Sequence, residues 1–199
     1  FYDNGFDKSA SILDCACGIG TQAIGLASFG YSIVGSDISE AELMEAMKRA
    51  ERHHVSIDFL HADFCALSDV FPDKFDIIIC MDNVLPHMLS FADLGRAACS
   101  IINQLSPGGI FVASIRDYDA LLLKKPPYSP PYIHNTDNGK RVSFQTWDWV
   151  GDNYRLTQYI IDDEECLRVN KFECEYRATR RAEITNLLLE SGCSEVVWM

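Results

Sequence analysis

Positive charge is scarce in this 199-residue sequence, where 17 lysines and arginines stand against 29 aspartates and glutamates and the formal net charge is −12. An acidic surface repels nucleic-acid phosphates and anionic membranes, so we expect neither as a partner. Long apolar runs and a signal-peptide pattern are also missing, which argues against a membrane span and predicts a cytoplasmic protein. Hydrophobic residues still make up 48% of the chain, enough for the core of one globular α/β domain.

The eight cysteines include no Cys-x-x-Cys pair, so we predict no structural zinc site and no bound metal. Cys15 and Cys17 could be read as metal ligands or as a redox pair. Several of the others lie in apolar segments, where a free thiol behaves as a small hydrophobic group. The sequence starts without methionine and ends in an apolar run, so we expect both ends to be incomplete, with residues also absent before the first strand.

Strand and helix patterns alternate through the first 115 residues. A capping box, Ser39 followed by Glu42, opens the second helix, and residues 105–109 predict a sharp turn. The alternation predicts right-handed β-α-β units and a Rossmann-like α/β fold, a mostly parallel sheet with helices on both faces. The predicted strands are residues 11–14, 31–36, 56–60, 75–80 and 110–115, and the other predicted helices are residues 21–29 and 91–104.

The pattern changes after residue 116. Residues 124–131 contain four of the seven prolines, which predicts an extended loop or lid. Tyr128, Tyr132 and His134, beside the prolines, could form a closing lid. Three β-rich stretches follow, with a hairpin turn at 151–153, and then a helix and a last strand. We interpret residues 1–199 as one domain with an antiparallel, substrate-side insertion at about 116–178. The stretches are 141–150, 154–162 and 168–178, the helix is 181–191, stopped by Gly192, and the strand is 195–199.

The strongest chemical motif is residues 14–20, Asp-Cys-Ala-Cys-Gly-Ile-Gly, where a strand runs through a tight turn into a helix. Glycine lets the backbone approach a bound nucleotide without a Cβ clash. Asp37 ends the second strand, where a carboxylate can accept hydrogen bonds from ribose hydroxyls, or it could simply cap the next helix. Asp63 and Phe64 suit an adenine amine and ring, or they could be a surface aspartate and a core phenylalanine.

These motifs, with Phe75-Asp-Ile-Ile and Pro107-Gly-Gly, occur in the order seen in class I S-adenosylmethionine methyltransferases, which the chain resembles over about residues 11–115 and its last helix and strand. Ala16 stands where many members have glycine. The resemblance implies S-adenosylmethionine as cofactor, with S-adenosylhomocysteine as product. The implied cofactor contacts are Asp14, Ala16, Gly18, Gly20, Asp37, Ile38, Asp63, Phe64, Cys80 and Met81.

A narrower resemblance, to glycine and glycine/sarcosine N-methyltransferases, is carried by residues 14–20, by 83–87 (Asn-Val-Leu-Pro-His) and by 116–119 (Arg-Asp-Tyr-Asp). It implies methylation of the amine of a small amino acid such as glycine or sarcosine. By position, Asn83 and Arg116 would hold the substrate carboxylate. The chain departs from that family at Asp117, where asparagine is usual, and in the β-rich block.

The residues support this interpretation independently, because ligands of open parallel sheets bind beyond the carboxyl ends of the strands. Asn83, His87 and Arg116 all follow such ends, and arginine can hold a carboxylate through two charged hydrogen bonds. Alternatively, Arg116 pairs with a neighbouring aspartate, Asp117 or Asp119. His87 could be a helix-cap or core residue instead of a catalytic base. The proton of the acceptor amine could go to His87, to Tyr118 or to solvent.

Alternation along one β-rich stretch places Trp147 and Trp149 on the same face, where they could cover a substrate or only pack. Three rival functions stay open: a methyltransferase for another small acceptor, O- or N-linked; a non-catalytic S-adenosylmethionine-binding protein; and a nicotinamide dehydrogenase. A nicotinamide dehydrogenase would be expected to have a third glycine in the motif Gly-x-Gly-x-x-Gly, and Ala23 at that position fits only the looser form that ends in alanine. A homo-oligomer also stays open.

Overall fold

The computed structural model describes residues 5–137, 139–163 and 166–199, and these form two compact units. Of these residues, the first unit comprises 5–85, 91–116 and 184–199, and the second comprises 86–90, 117–137, 139–163 and 166–183. Within the described residues, no helix is both long and apolar enough to cross a membrane.

The first unit is built on a five-stranded parallel sheet with the order β3-β2-β1-β4-β5. The central strands β1 and β4 consist almost wholly of buried residues, mostly apolar, as expected where helices cover both faces. The predicted Rossmann-like architecture is confirmed. The strands are β1 (Ile12–Asp14), β2 (Ile33–Asp37), β3 (Asp58–His61), β4 (Phe75–Cys80) and β5 (Leu105–Ala113).

Helices α1 (Thr21–Ser28) and α2 (Glu40–Arg52) pack on one face of this sheet, over a core that includes Ile12, Ile77 and Ile79. The capping box is confirmed at the start of α2, where the Ser39 hydroxyl accepts the Glu42 N–H at 3.3 Å. Helix α3 (Phe91–Asn103) lies over the other face. Its Leu94 and Ile101 line a small apolar gap with Phe111 of β5 and residues 184–188.

Two expectations for this unit are wrong. Strand β5 starts at Leu105, because the residues predicted as a turn join the ladder: Phe75 pairs with Leu105 before the register shifts, and Gly108 takes up a φ of +80°. Residues 195–199 form no strand, and their apolar run leaves Val197 and Met199 exposed. That segment is held through the Trp198 indole, which donates to Thr185 Oγ1 at 3.0 Å.

The second unit contains helix α4 (Tyr118–Lys124) and a four-stranded antiparallel sheet, ordered β6-β7-β8-β9. Its strands are β6 (Tyr132–Thr136), β7 (Gly139–Val150), β8 (Asn153–Asp163) and β9 (Leu167–Arg177). The predicted hairpin is present, since Val150 pairs with Asn153 across a two-residue loop in which Gly151 has a φ of +63°. Helix α5 (Arg181–Glu190) then follows, as predicted.

One element of the second unit was not predicted. Helix α4 is absent from the sequence analysis, although the Asp117 carboxylate caps it by accepting the Ala120 N–H at 3.2 Å. Tyr132 and His134 lie in strand β6, with their ring centroids 4.3 Å apart, and their role in a lid stays a prediction. The proline-rich stretch before β6 is itself tied to β7, because Trp147 N–H donates to Pro127 O at 2.9 Å.

Candidate functional site

The glycine-containing turn after β1 is anchored to the end of β2. Gly18 and Gly20 have φ values of +50° and +77°, which side chains with a Cβ rarely adopt. The Gly18 N–H donates to Asp37 Oδ2 at 2.8 Å. A Cβ at Gly20 would stand 3.2 Å from both Ala46 and Phe59, so close packing against α2 and β3 also requires glycine there.

Asp37 serves both this turn and the start of α2. Its second carboxylate oxygen, Oδ1, accepts the Ser39 N–H at 2.9 Å, so the alternative of a local capping role is partly correct. Each carboxylate oxygen has two lone pairs, and each one here accepts a single backbone N–H in the contacts to Gly18 and Ser39. Asp37 therefore retains capacity to accept hydroxyl groups of a ligand.

Asp63 and Phe64 stand beside Asp37, because the Ala62 N–H donates to Asp37 O at 3.1 Å. Asp63 is exposed, with its Oδ1 accepting the Cys65 N–H at 2.8 Å, and Phe64 is only half-buried. Ile38 is also exposed. The turn and the two downstream acids are therefore brought to one edge of the sheet, and an apolar side chain there is open to a ligand.

Asp14 is the most unusual group at this edge. Its side chain is 1% exposed, and neither carboxylate oxygen has a hydrogen-bond partner among the described residues. Burial, with a smaller contribution from the negative charges of Asp37 and Asp82, raises the pKa of Asp14 to about 7 against the opposing effect of nearby backbone amides. A buried acid without a donor, among other acids, favours a ligand that brings positive charge or N–H groups.

The Cys15 and Cys80 thiols lie side by side at the ends of β1 and β4, both fully buried. Hydrogen bonding to Cys80 and burial raise the pKa of Cys15, and burial also raises that of Cys17. High thiol pKa values make these groups unreactive. Across the described parts of the chain, no cluster of three metal-ligating side chains occurs, and no cysteine there forms a disulfide. Met81, the next residue after β4, is half-buried.

The loops after β4 and β5 are bound to each other. Asn83 Oδ1 accepts the Arg116 N–H at 3.1 Å, and the Asn83 N–H donates to Ser114 O at 3.0 Å. Asp82 and Asn83 both have left-handed backbones, with φ of +61° and +66°. Asn83 is buried and Arg116 half-buried, so the two predicted carboxylate-binding residues are neighbours at the carboxyl edge of the sheet.

The aspartates suggested as ion-pair partners of Arg116 make contacts of their own. Asp117 and Asp119 lie 3.3 Å and 3.8 Å from the Arg181 guanidinium.

His87 and Tyr118 belong to the second unit. His87 ends a short 3-10 turn (Leu85–His87); the residue as a whole is exposed, but one side of its ring packs on Tyr176, with the ring centroids 4.4 Å apart. Partial burial of the imidazole lowers the pKa of His87 below its ordinary value. Tyr118 is fully buried, and its hydroxyl lies 2.9 Å from that of Tyr154.

Tyr154 is the centre of an aromatic cluster in this unit. Its ring lies 4.6 Å from Trp149, 5.6 Å from Trp147 and 5.4 Å from Tyr176. The two tryptophans share a face, as predicted, and their contacts with Tyr154 give them a clear packing role. Trp149 also donates through Nε1 to Pro126 O at 2.9 Å.

Arg49 of α2, which the sequence analysis missed, binds the glycine-containing turn after β1. Its Nη1 donates to Ile19 O at 2.9 Å and to Thr21 Oγ1 at 3.1 Å. No local pattern marks an arginine near the end of a helix as the partner of a turn 30 residues earlier. Such a contact becomes visible only when the β-α-β unit is assembled.

A family of methyltransferase domains matches residues 12–109. Glycine/sarcosine N-methyltransferase of Aphanothece halophytica is 25% identical over 185 residues, which cover 93% of this chain and 66% of that protein. The chain thus spans just under two thirds of the length of that relative.

Two solved structures have a similar fold. An S-adenosylmethionine-dependent methyltransferase from Clostridium acetobutylicum aligns with a TM-score of 0.79 and 21% identity, over 96% of this chain and 75% of that one. An amino pentose methyltransferase from Micromonospora echinaspora, solved with S-adenosylmethionine bound, aligns with a TM-score of 0.79 and 16% identity, over 92% and 75%.

The parallel sheet and its turn, with acids at the ends of neighbouring strands, define a class I methyltransferase fold. Residues 12–109 match a methyltransferase domain, and the solved structures that share the fold include one methyltransferase that depends on S-adenosylmethionine and one solved with it bound. The residues present fit that group, because a buried carboxylate without a donor and a surrounding set of acids suit a cofactor that carries an ammonium and a sulfonium.

Proposed function

We propose that this chain transfers a methyl group to the amine nitrogen of a small amino acid such as glycine or sarcosine. The observation that carries the proposal is the bond from the Arg116 N–H to Asn83 Oδ1, 3.1 Å long. It holds an arginine and an asparagine together at the edge of the sheet where ligands of open α/β folds bind. The similarity to glycine/sarcosine N-methyltransferases supports this acceptor class.

When bound, S-adenosylmethionine supplies a methyl group activated by positive sulfur. The residues proposed to hold it are those around the glycine turn. Gly18 and Gly20 permit close approach of the backbone, Asp37 and Asp63 accept ribose and adenine donors, and Asp14 balances positive charge. Ile38 and Phe64 offer apolar surface to the base, while Ala16, Cys80 and Met81 complete the lining in this proposal.

The acceptor is held by its carboxylate in this proposal. The Arg116 guanidinium can donate two parallel hydrogen bonds to it, which fix orientation as well as position. The Asn83 side chain holds the Arg116 backbone and thereby fixes the point from which the Arg116 side chain extends. Orientation of this kind contributes up to roughly 7–11 kcal/mol to lowering the barrier of a two-reactant step.

The acceptor nitrogen must lose a proton before its lone pair can form the new N–C bond. The lowered pKa of His87 keeps its imidazole neutral near pH 7, in the form that accepts a proton. The Tyr118 hydroxyl is buried and lies 2.9 Å from that of Tyr154, so it is less accessible to an acceptor than the exposed His87. His87 is therefore the base that we propose to test first, with solvent as its competitor.

The test is incubation with S-adenosylmethionine and, separately, glycine, sarcosine and dimethylglycine, with both S-adenosylhomocysteine and methylated product measured. We expect stoichiometric formation of the two products with at least one acceptor. Turnover with none of the three, but with a phenol, carboxylate or amino sugar, would discard the amino-acid proposal and keep the class. Tight cofactor binding without turnover on any acceptor would favour a non-catalytic binding protein.

The role of the second unit as a lid and substrate-side insertion stays a prediction. It is tested by His87→Gln and by Tyr154→Phe, which removes the hydroxyl opposite Tyr118. If these residues act on the acceptor, each change lowers kcat or raises the acceptor KM while the dissociation constant of S-adenosylhomocysteine stays unchanged.

A further inference from the structure

The two edge strands of the antiparallel sheet, β6 and β9, differ in length and in how well they could pair with a further strand. Strand β6 has five residues and follows directly on Pro130 and Pro131, which cannot extend a ladder. Strand β9 has eleven residues, Leu167–Arg177, with no proline or glycine and an unbroken register against β8. Long, regular edges of this kind are templates for pairing with another strand.

The outward edge of β9 is open in the part of the chain that the structure describes, where β8 is its single partner strand. The Ala178 N–H donates inward to Asp152 O at 2.8 Å, which fixes the alternation along the strand. Even-numbered residues therefore direct their N–H and C=O groups to β8, and odd-numbered residues such as Lys171 and Glu173 direct theirs outward.

Apolar side chains stand on this open edge. Leu167, Val169 and Phe172 are 67%, 58% and 59% exposed. Leu167 and Val169 lie on one face of β9 and Phe172 on the other, so pairing along the open edge would bury apolar surface on both faces of the sheet in addition to forming backbone hydrogen bonds.

The charges of β9 are complementary to themselves in one antiparallel register. When Phe172 lies opposite Phe172 of a second copy, Lys171 faces Glu173 and Glu173 faces Lys171 across the seam. These odd-numbered residues are the ones whose backbone groups point outward, so they form the hydrogen-bonded pairs. The neighbouring symmetric registers place Lys171 opposite Lys171, or Glu173 opposite Glu173, which is unfavourable.

We infer that β9 pairs antiparallel with β9 of a second copy of this chain, forming a continuous eight-stranded sheet with Phe172 at the two-fold axis. A chain with a net charge of −12 repels its own copy over most of its surface, so association requires local charge complementarity. Lys171 and Glu173 lie 2.5 Å apart within one strand, and in the dimer each gains a second opposite charge. The interface is isologous, as is usual for two-fold dimers.

The test is the molar mass in solution, by sedimentation equilibrium over a range of concentrations. We expect a species of twice 22.4 kDa for the unaltered chain. Lys171→Glu and Glu173→Lys should each be monomeric, because each places like charges across the seam. Equal amounts of the two variants should form a heterodimer, and the double exchange Lys171→Glu with Glu173→Lys should restore the homodimer.

Matched controls make the same charge changes away from β9. Lys48→Glu and Glu51→Lys, both on exposed positions of α2, should leave the dimer intact. Circular dichroism establishes that every variant is folded, and amide exchange at residues 171 and 173 should be slow only in dimeric samples. A monomeric unaltered chain, or a dimer that survives both single changes on β9, would overturn the inference.

Discussion

The two units differ in how their sheets are covered. In the first unit the central strand β4, Phe-Asp-Ile-Ile-Ile-Cys, is a nearly continuous buried apolar run, because helices pack on both faces of the sheet. In the second unit most residues of β7 are half-buried, and β9 is exposed along most of its length. The family match covers residues 12–109, which lie almost wholly in the first unit. We therefore expect the proposed cofactor site to depend mainly on backbone geometry and packing, and the proposed acceptor site on a few individual side chains.

The largest expected effect concerns the acceptor. Arg116→Met should lower kcat/KM for the amino acid by about 100- to 1000-fold, because a charged, two-point contact is lost. The dissociation constant of S-adenosylhomocysteine, measured by calorimetry, should change little. Arg116→Lys keeps the charge but not the paired donors, so its kcat/KM should lie between that of the unaltered chain and that of Arg116→Met. If Arg116→Met weakened the binding of cofactor and acceptor equally, Arg116 would not be specific to the acceptor.

Packing in the first unit should tolerate an added methyl group poorly. In Gly35→Ala the new Cβ would lie 2.7 Å from the Phe59 ring, so we expect a loss of about 1–3 kcal/mol in the free energy of unfolding. Urea denaturation measures it, and adding Phe59→Leu should restore part of the loss.

The matched change in the second unit is Gly151→Ala, where no atom lies within 4 Å of the new Cβ and only the positive φ is strained. We expect a cost of about 1 kcal/mol there. A larger cost at Gly151 than at Gly35 would reverse the comparison between the units.

Cofactor binding should depend on pH through Asp14. With a pKa of about 7, the carboxyl is mostly neutral at pH 6 and charged at pH 8, and only the charged form attracts a cation. The dissociation constant of S-adenosylmethionine should therefore be about tenfold larger at pH 6 than at pH 8. In Asp14→Asn this dependence should disappear, and calorimetry at both pH values checks it.

The raised pKa of Asp14 also lowers the stability of the protein at neutral and higher pH when no cofactor is bound. The unfolded chain releases the Asp14 proton near pH 4 and the folded chain near pH 7, so the folded state binds more protons between these values. The contribution of protonated Asp14 to the free energy of unfolding is complete below about pH 4 and is lost as the pH rises through 7. Asp14→Asn should accordingly raise the free energy of unfolding at pH 8, by about 1–4 kcal/mol. A lower value would show that another group balances this charge.

The smallest effect is expected at Arg49. Arg49→Met removes two hydrogen bonds to the cofactor turn, so the affinity for S-adenosylmethionine should fall by about three- to tenfold. Arg52→Met is the control, since Arg52 lies on the same helix and binds Glu45 at the surface. If both changes weaken binding equally, Arg49 acts on the helix and not on the turn.

Local signals predicted much of the fold. The apolar run of β4, the Ser39 cap and the Gly151 hairpin depend on neighbouring residues, and all three are observed where expected. Helix α4 carried the signal of Asp117 as a cap, but the Leu-Leu-Leu run after it fits a helix or a strand equally well.

Long-range contacts could not be predicted in this way. The start of β5 depends on a register shift against β4, and the Arg49 clamp depends on the folded β-α-β unit. At the candidate site, ordered motifs led to the acids and glycines, and these lie together at the same edge. The bond between Asn83 and Arg116 joins residues 33 positions apart and is visible only in the structure.

The left-handed backbone at Asp82 and Asn83 has a consequence for redesign of acceptor choice. Aspartate and asparagine adopt this conformation more readily than most residues do. Position 83 also supplies the oxygen that holds the backbone of Arg116. Libraries that randomise this position would therefore return mostly misfolded loops, and new specificities are better sought by varying Val84 or the residue at 116 while leaving the asparagine in place.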